Sequence, residues 1–319
     1  MFKVSRTRFI LQELLIAVLV YILVAPAVMR AADSGEQPLF ASPDQAVTAL
    51  QAAVKTQETN AMRKVFGPAI SEIANPDPVQ RAENLEKFAK RLTEFVGLST
   101  QQNGNVVLDI GNDHWPFPIP LAKRGDQWFF DVGAGKEEIL NRRVGQNELS
   151  AIEVCHAYVQ AQREYAMKDR AGNKIIEYAQ KMRSTPGTKD GLYWEAKPDE
   201  EQSPFGPLVA KAHEEGYGRK KDGADTQKTH NPFHGYLLRI LTKQGENAPG
   251  GKYDYIINGH LVAGFAFLAY PAQWGNSGVM TFIVNQHGQV YQKNLGEKTT
   301  ELANAITEYN PDETWKPAE

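Results

Sequence analysis

Only one cysteine, Cys155, occurs in the 319 residues of the chain. A lone thiol cannot close an internal disulfide, so an apolar core has to hold the fold together. No cysteine follows the leader, which excludes attachment of a lipid there. An excess of either charge is also missing: the formal net charge is −3 at neutral pH. Mixed signs on a mildly acidic body give no electrostatic reason to expect nucleic acid or an anionic membrane surface as partner. Phosphate-cradling loops of the Gly-x-x-x-x-Gly-Lys-Ser/Thr and Gly-x-Gly-x-x-Gly kinds are absent, and so is the Gly-x-Ser-x-Gly nucleophile turn. Gly275-Asn276-Ser277-Gly278 keeps only part of that turn. Repeats and low-complexity tracts are lacking too.

The chain does have a basic, apolar start. Lys3, Arg6 and Arg8 precede an unbroken apolar run from Leu14 to Val24, and Ala25-Pro26-Ala27 follows. Cations, a short apolar stretch and small residues before a cleavage point predict a secretory signal peptide over residues 1–27. A membrane-spanning helix needs about 20 apolar residues. Extending the run from Phe9 to Met29 would take Gln12 and Glu13 into the hydrocarbon. The expected state is therefore a clipped leader, a periplasmic or secreted body, and no stable membrane span after cleavage. Residues 28–319 suffice for two domains, placed at 38–145 and 146–319.

In the first, Ser42-Pro43-Asp44-Gln45 opens a helix: serine caps, glutamine reaches back, and proline sits where its missing N–H costs nothing. Ala46, Val47, Leu50, Ala53 and Val54 give that helix one apolar face. A short helix ends near Gly67. A longer one runs from about Pro78 to Val96, with Gly97 closing it. The period then shortens to two, which predicts strands at 106–110, 114–121 and 127–132, the last pair joined at Lys123-Arg124-Gly125-Asp126. In Trp115-Pro116-Phe117-Pro118-Ile119-Pro120 every second residue is proline. This strips the donors from one edge, while Phe117 and Ile119 remain able to pair on the other, as suits an edge strand. Helices followed by a curved antiparallel sheet make an α+β cone, which resembles the fold family of nuclear transport factor 2.

A helix from Lys136 to Arg143 that stops at Gly145 is expected to lead into the second domain. Asn147 or Ser150 then caps a new helix running to about Met167. Cys155 sits on its apolar stripe with Leu149, Ile152 and Val159, as a buried small hydrophobe. Pro186-Gly187, Asp190-Gly191, Pro204 and Gly206-Pro207 mark a long irregular crossing, and Glu214 to Thr229 reads as a solvated loop. Strand patterns follow at 236–241, 253–257, 260–270, 279–285 and 289–293. Asn258-Gly259 is a two-residue hairpin turn, and Gln286-His287-Gly288 is a second turn. This helix and meander resemble the head of type IV pilins and pseudopilins, most closely at Ala161-Gln162-Arg163-Glu164-Tyr165 and Gly278-Val279-Met280-Thr281-Phe282-Ile283-Val284. The hydrophobic stem of a pilin does not lead into this helix, because a whole domain intervenes.

A further resemblance covers residues 38–317. Trp115-Pro116-Phe117-Pro118-Ile119-Pro120-Leu121, Asn147-Glu148-Leu149, Asp190-Gly191-Leu192-Tyr193-Trp194, Ala248-Pro249-Gly250-Gly251 and Gly278-Val279-Met280-Thr281-Phe282 occur in this order. On these motifs the chain is similar to the bacterial secreted proteins grouped as domain of unknown function 2950. That likeness implies export and supplies no activity.

Seven histidines could supply metal ligands or a general base. His230 and His234 are four apart, the helical interval for two zinc ligands, with His213 or Asp225 nearby. Pro232 between them breaks that helix, so no metal and no cofactor are expected. Glu138 and Arg142, four apart, read as a surface ion pair. The leading expectation is a non-enzymatic binding or assembly module of the bacterial envelope, with an envelope protein as partner and oligomeric state open. Its candidate binding residues are Arg142, Arg143, His234 and Tyr236, near the domain junction and the entry to a strand. Two alternatives remain. One is a hydrolase or isomerase with a pocket in the N-terminal cone, using Asp109, Asp113 or His114 beside Trp115 and Phe129. The other is a pseudopilin-like subunit.

Overall fold

The computed structural model describes residues 37–56, 58–214, 217 and 232–318. The expected leader, His230 and most of the polar stretch after Glu214 lie outside the described residues. The first helix, α1 (Pro43–Thr56), starts as its residues predict. Ser42 Oγ accepts from Gln45 N at 3.2 Å, and Gln45 Oε1 accepts from Ala41 N at 3.2 Å. Helix α2 (Thr59–Phe66) and a 3-10 turn (Pro68–Ile73) lead to α3 (Pro78–Glu94), which Asp77 caps by accepting from Val79 N and Gln80 N.

Helix α3 does not reach Gly97. Phe95 is already extended, and Gly97 lies inside a strand, β1 (Val96–Thr100), that period alone had not marked. The hairpin partner is β2 (Val106–Ile110). Beyond β2 the proline-rich run is not one strand. It divides into β3 (Trp115–Pro116), which pairs with β2, and β4 (Leu121–Arg124), which pairs with β5 (Gln127–Phe130). Prolines 116, 118 and 120 cannot donate, so the ladder stops between the two pieces. Phe117 N still donates to Leu108 O at 2.8 Å, as its unblocked N–H allows. The helices cover one face of this antiparallel sheet. Leu50, Phe66, Leu108, Phe117 and Phe130 fill the space between, with Phe66 and Phe130 ring centroids 4.9 Å apart.

Asp131 then caps α4 (Val132–Tyr165), a helix of 34 residues and about 51 Å. The expected break at Gly145 does not occur. A glycine ends a helix by turning left-handed, and Gly145 does not adopt positive φ. Asn147, which could cap a new start, and Glu148 beside it spend their side chains sideways on residues 277–280 instead, and Ser150 lies inside the continuous helix. The N-terminal part of α4 meets the first core through Val132 and Gly135. From Ala151 onward its stripe Val154, Cys155, Tyr158, Val159 and Tyr165 builds a second core.

A long crossing follows without regular elements until α5 (Gly206–Glu214), and side-chain bonds pin it. The Gln162 amide, fully buried, both donates to Ala179 O and accepts from Ala179 N at 2.8 Å. Glu201 meets Lys168 at 2.7 Å, Lys189 at 2.9 Å and Arg170 at 3.1 Å. The second sheet is antiparallel, in the order β14 (Lys316–Pro317), β13 (Tyr291–Asn294), β12 (Met280–Asn285), β11 (Ala266–Pro271), β6 (Tyr236–Leu241). Two expected strands are broken: 253–257 into β8 (Tyr253–Asp254) and β9 (Ile256–Ile257), and 260–270 into β10 (His260–Leu261) and β11. Lys243–Gln244, β7, pairs with β8. Asn258 and Gly259 turn between β9 and β10 with φ of 52° and 85°, as the hairpin signal predicts. On one face of the sheet Tyr158 of α4 stacks on Phe267 at 4.2 Å; on the other, α6 (Thr299–Ala305) packs against β11, and Arg239, level with Leu268, donates to Ala303 O.

Two glycines of α4 make opposed predictions. A Cβ on Gly135 would lie 2.5 Å from Pro118 O, whereas one on Gly145 would meet nothing within 4 Å. Gly145→Ala should add roughly 0.5–1 kcal/mol by helix propensity. Gly135→Ala should cost about 1–3 kcal/mol by overpacking. Urea denaturation of both variants checks the pair, and equal effects would contradict the packing. Glu201 gives a pH signature. Hydrogen bonds from Lys168 and Lys189 hold its carboxyl down at about 2. A depressed carboxylate stabilises above its unfolded value near 4.5 and loses that contribution as pH falls towards 2. Glu201→Gln should therefore cost about 1–2 kcal/mol at pH 7, after screening, and almost nothing near pH 2. Denaturation at the two pH values is the measurement.

Candidate functional site

A buried polar network occupies the waist of α4, where the two cores meet. Its orientation follows from one fixed acceptor. Asn147 Nδ2 donates to the carbonyl of Ser277 at 2.9 Å, so Asn147 Oδ1 is an acceptor. Gln80 Nε2 donates to that oxygen at 2.8 Å and sits 3.2 Å from His234 Nδ1. The amide's other hydrogen can only go to a lone pair, so His234 Nδ1 carries no proton. Gln80 Oε1 in turn accepts from Asn75 Nδ2 at 3.1 Å, and Asn75 Oδ1 accepts from Asp77 N at 3.0 Å. Asp77, fully buried, closes the set: Oδ2 accepts from Tyr217 Oη at 2.6 Å and from Gly235 N at 3.3 Å.

Three of the four residues expected at the site lie here. Arg143 donates to Ile73 O at 2.6 Å, to Ala74 O at 3.3 Å and to Asn276 Oδ1, and burial pulls its pKa down. His234 adopts a left-handed φ of 45°, and its N–H donates to Tyr217 Oη at 3.2 Å. Tyr236 Oη donates to Met280 O at 2.9 Å. Burial, then the Glu148 carboxylate, pushes that phenol's pKa far up. Gly278 makes room for it, since a Cβ there would sit 2.2 Å from Tyr236 Oη. Glu148 Oε1 accepts from Val279 N and Met280 N, both at 2.9 Å. The partners that sequence reasoning missed are Asn75, Asp77, Gln80, Asn147 and Ser277. Only Asn75-Pro76-Asp77-Pro78 carried a local signal, an aspartate cap before proline.

Arg142 points elsewhere. Its Nε meets Glu138 Oε1 at 2.5 Å, the expected ion pair, and its guanidinium lies 5.2 Å from the Trp115 ring centroid. Arg91 lies at the same distance from that ring and bonds Asp113 at 2.8 Å. Beside them His114, with φ of 51°, meets the Phe95 ring edge-on at 4.4 Å. This makes a surface patch around a half-buried indole, with two cations and two anions. Asp109, Asp113 and His114 lie on the side of the sheet or its turn away from the phenylalanine-filled interior. Phe129 carries Arg124 over its ring at 4.7 Å.

A family model described as a protein of unknown function, DUF2950, matches residues 37–318. The chain belongs to that family. No curated protein and no solved structure matches it.

In this DUF2950 protein Cys155 is fully buried, as expected, and desolvation pushes its thiol up to about 12. Among the described residues no group of three or more His, Cys, Asp or Glu could hold a metal ion. Among them, too, no helix is long and apolar enough to cross a membrane. A cleft of about 360 Å³ lies at Ile283, Ile306, Glu308, Asn310 and Trp315, and a groove of about 420 Å³ runs between α1 and α3. Neither includes an expected site residue.

Asn147→Ala strands Ser277 O and one Gln80 hydrogen, which should lower stability by about 2–4 kcal/mol in chemical denaturation. At a pH where the ring is neutral, nitrogen NMR should find the His234 proton on Nε2. A proton on Nδ1 would overturn the network's orientation.

Proposed function

We propose that this DUF2950 protein is an exported, non-enzymatic binding or assembly module of the bacterial cell envelope. Its two halves, residues 38–145 and 146–319, share α4 as a common strut. The single observation that supports a binding role best is the Trp115 patch, in which an indole is flanked by Arg91 and Arg142 and adjoins Phe95 and His114. Tryptophan and arginine are the side chains that most often dominate protein–protein contacts. Each cation has its own carboxylate, so the patch is balanced in charge and suits a protein surface better than a polyanion. Arg143, His234 and Tyr236, bound up in the waist network, then serve by holding the halves rigid rather than by touching the partner.

The finer likenesses belong to the same proposal. The first half is read as a nuclear transport factor 2-like cone used as a scaffold, and the second as a pilin-head-like unit without the stem needed for filament assembly. Enzymatic use of the cone is the weaker reading, because two of the residues offered for it, Asp113 and His114, are themselves exposed beside half-buried Trp115.

Crosslinking in intact bacterial cells followed by mass spectrometry tests this. The captured chain should begin near Val28. Trp115→Ala and Arg142→Ala should each lose the crosslinked envelope protein at least tenfold, and Arg142→Ala should do so without lowering the melting temperature. A cytoplasmic chain retaining Met1, or unchanged capture by both variants, would overturn the proposal.

A further inference from the structure

The register of β1 against β2 determines which of its main-chain groups are used. Gln101 N donates to Asn105 O and Gly111 N donates to Phe95 O, so the odd-numbered residues of this segment bond across to β2. In an antiparallel ladder the intervening residues point their N–H and C=O the other way. Val96, Leu98 and Thr100 therefore aim their main-chain groups out of the sheet, and among the described residues β1 pairs with no strand on that side. The same alternation in β2 sends Leu108 O towards Phe117 N, which confirms the parity.

Natural edges are normally blunted by charge, proline or cover. The other edges of the two sheets are treated in this way. Phe40 pairs with Trp128 at the outer side of β5, β14 has only two residues and ends in Pro317, and β6 carries Arg239 and has no exposed residue. Among the described residues, strand β1 has none of these protections. Phe95 to Leu108 contains no charged residue, and Leu98, Ser99 and Thr100 are exposed. Leu98 stands directly opposite Leu108, so both share the core face, yet Leu108 is fully buried while Leu98 is 40% exposed.

We infer that a second copy of this chain docks on β1, antiparallel and about a two-fold axis through Leu98. The outward groups are symmetric about that residue: Leu98 meets Leu98 of the second copy, and Val96 meets Thr100. Three bonding pairs join two sheets into one, and each Leu98 covers the other's uncovered face. With no charge on either strand, the self-pairing meets no like-charge repulsion. This inference stands apart from the Trp115 patch and its envelope partner, since it needs only the purified protein. The contact is small beside a standard interface of about 1,600 Å², so the dimer forms only in concentrated solution.

Sedimentation velocity from about 1 µM to about 1 mM spans the relevant range of affinity. The wild-type chain should pass from monomer to dimer, Leu98→Lys should remain monomer throughout, and Leu302→Lys, at an equally exposed leucine on α6, should dimerise like the wild type. Amide exchange gives a second readout. Val96, Leu98 and Thr100 should exchange rapidly in dilute protein and at least tenfold more slowly in concentrated protein. Gly97 and Ser99 should be protected in both. A wild-type monomer at 1 mM, a dimer that survives Leu98→Lys, or no concentration dependence at the three outward amides would each overturn the inference, the last also when only a foreign peptide protects them.

Discussion

Everything in the described structure hangs on α4 being one uninterrupted rod. Its N-terminal end meets the helix-covered sheet and its C-terminal end carries the stripe under the second sheet. Between them Arg143, Asn147 and Glu148 face outward from the rod into bonds with Ile73, Ala74, Gln80, Ser277, Val279 and Met280. A hydrophobic stripe cannot make such a joint specific, because apolar contacts slide with little penalty. Buried amides and carbonyls, each leaving a costly orphan if displaced, permit one registration.

The same network explains two unusual backbone positions. Gly235, with φ of 74°, lies so close to Asn147 Nδ2 that a Cβ would come within 2.6 Å. His234 next to it bends left-handed so that its ring faces Gln80 while its N–H faces Tyr217. The strain is thus tied to a chain entering β6 between two already ordered groups. No catalytic task is needed to account for it.

Much of this was legible in the sequence wherever the cause was local. The Ser42 cap, the Asn258-Gly259 turn, the buried Cys155 and the β6, β12 and β13 strands all follow from neighbours within a few residues. The α+β class followed from the change in period after Phe95. Errors arose where one residue type serves two ends. Asn147 and Ser150 are good caps, but Asn147 is also a good lateral donor, and its partner Ser277 lies 130 residues away. Gln80, 67 residues before Asn147, gave no sign of joining it. Strand β1 was hidden because Gly97 looked like a helix stop. Of the candidate site, Arg143, His234 and Tyr236 were read from their place at a junction, while the amides that orient them carry no chemical signature at all.

The sealed position of Cys155 has a consequence for the chain's life history. With its one thiol buried in the second core, the molecule has no internal disulfide to miswire and none whose formation folding must await. Folding of the chain therefore requires no disulfide-forming step. With a single cysteine there is no internal pairing for a disulfide isomerase to correct, in an oxidising compartment as in a reducing one.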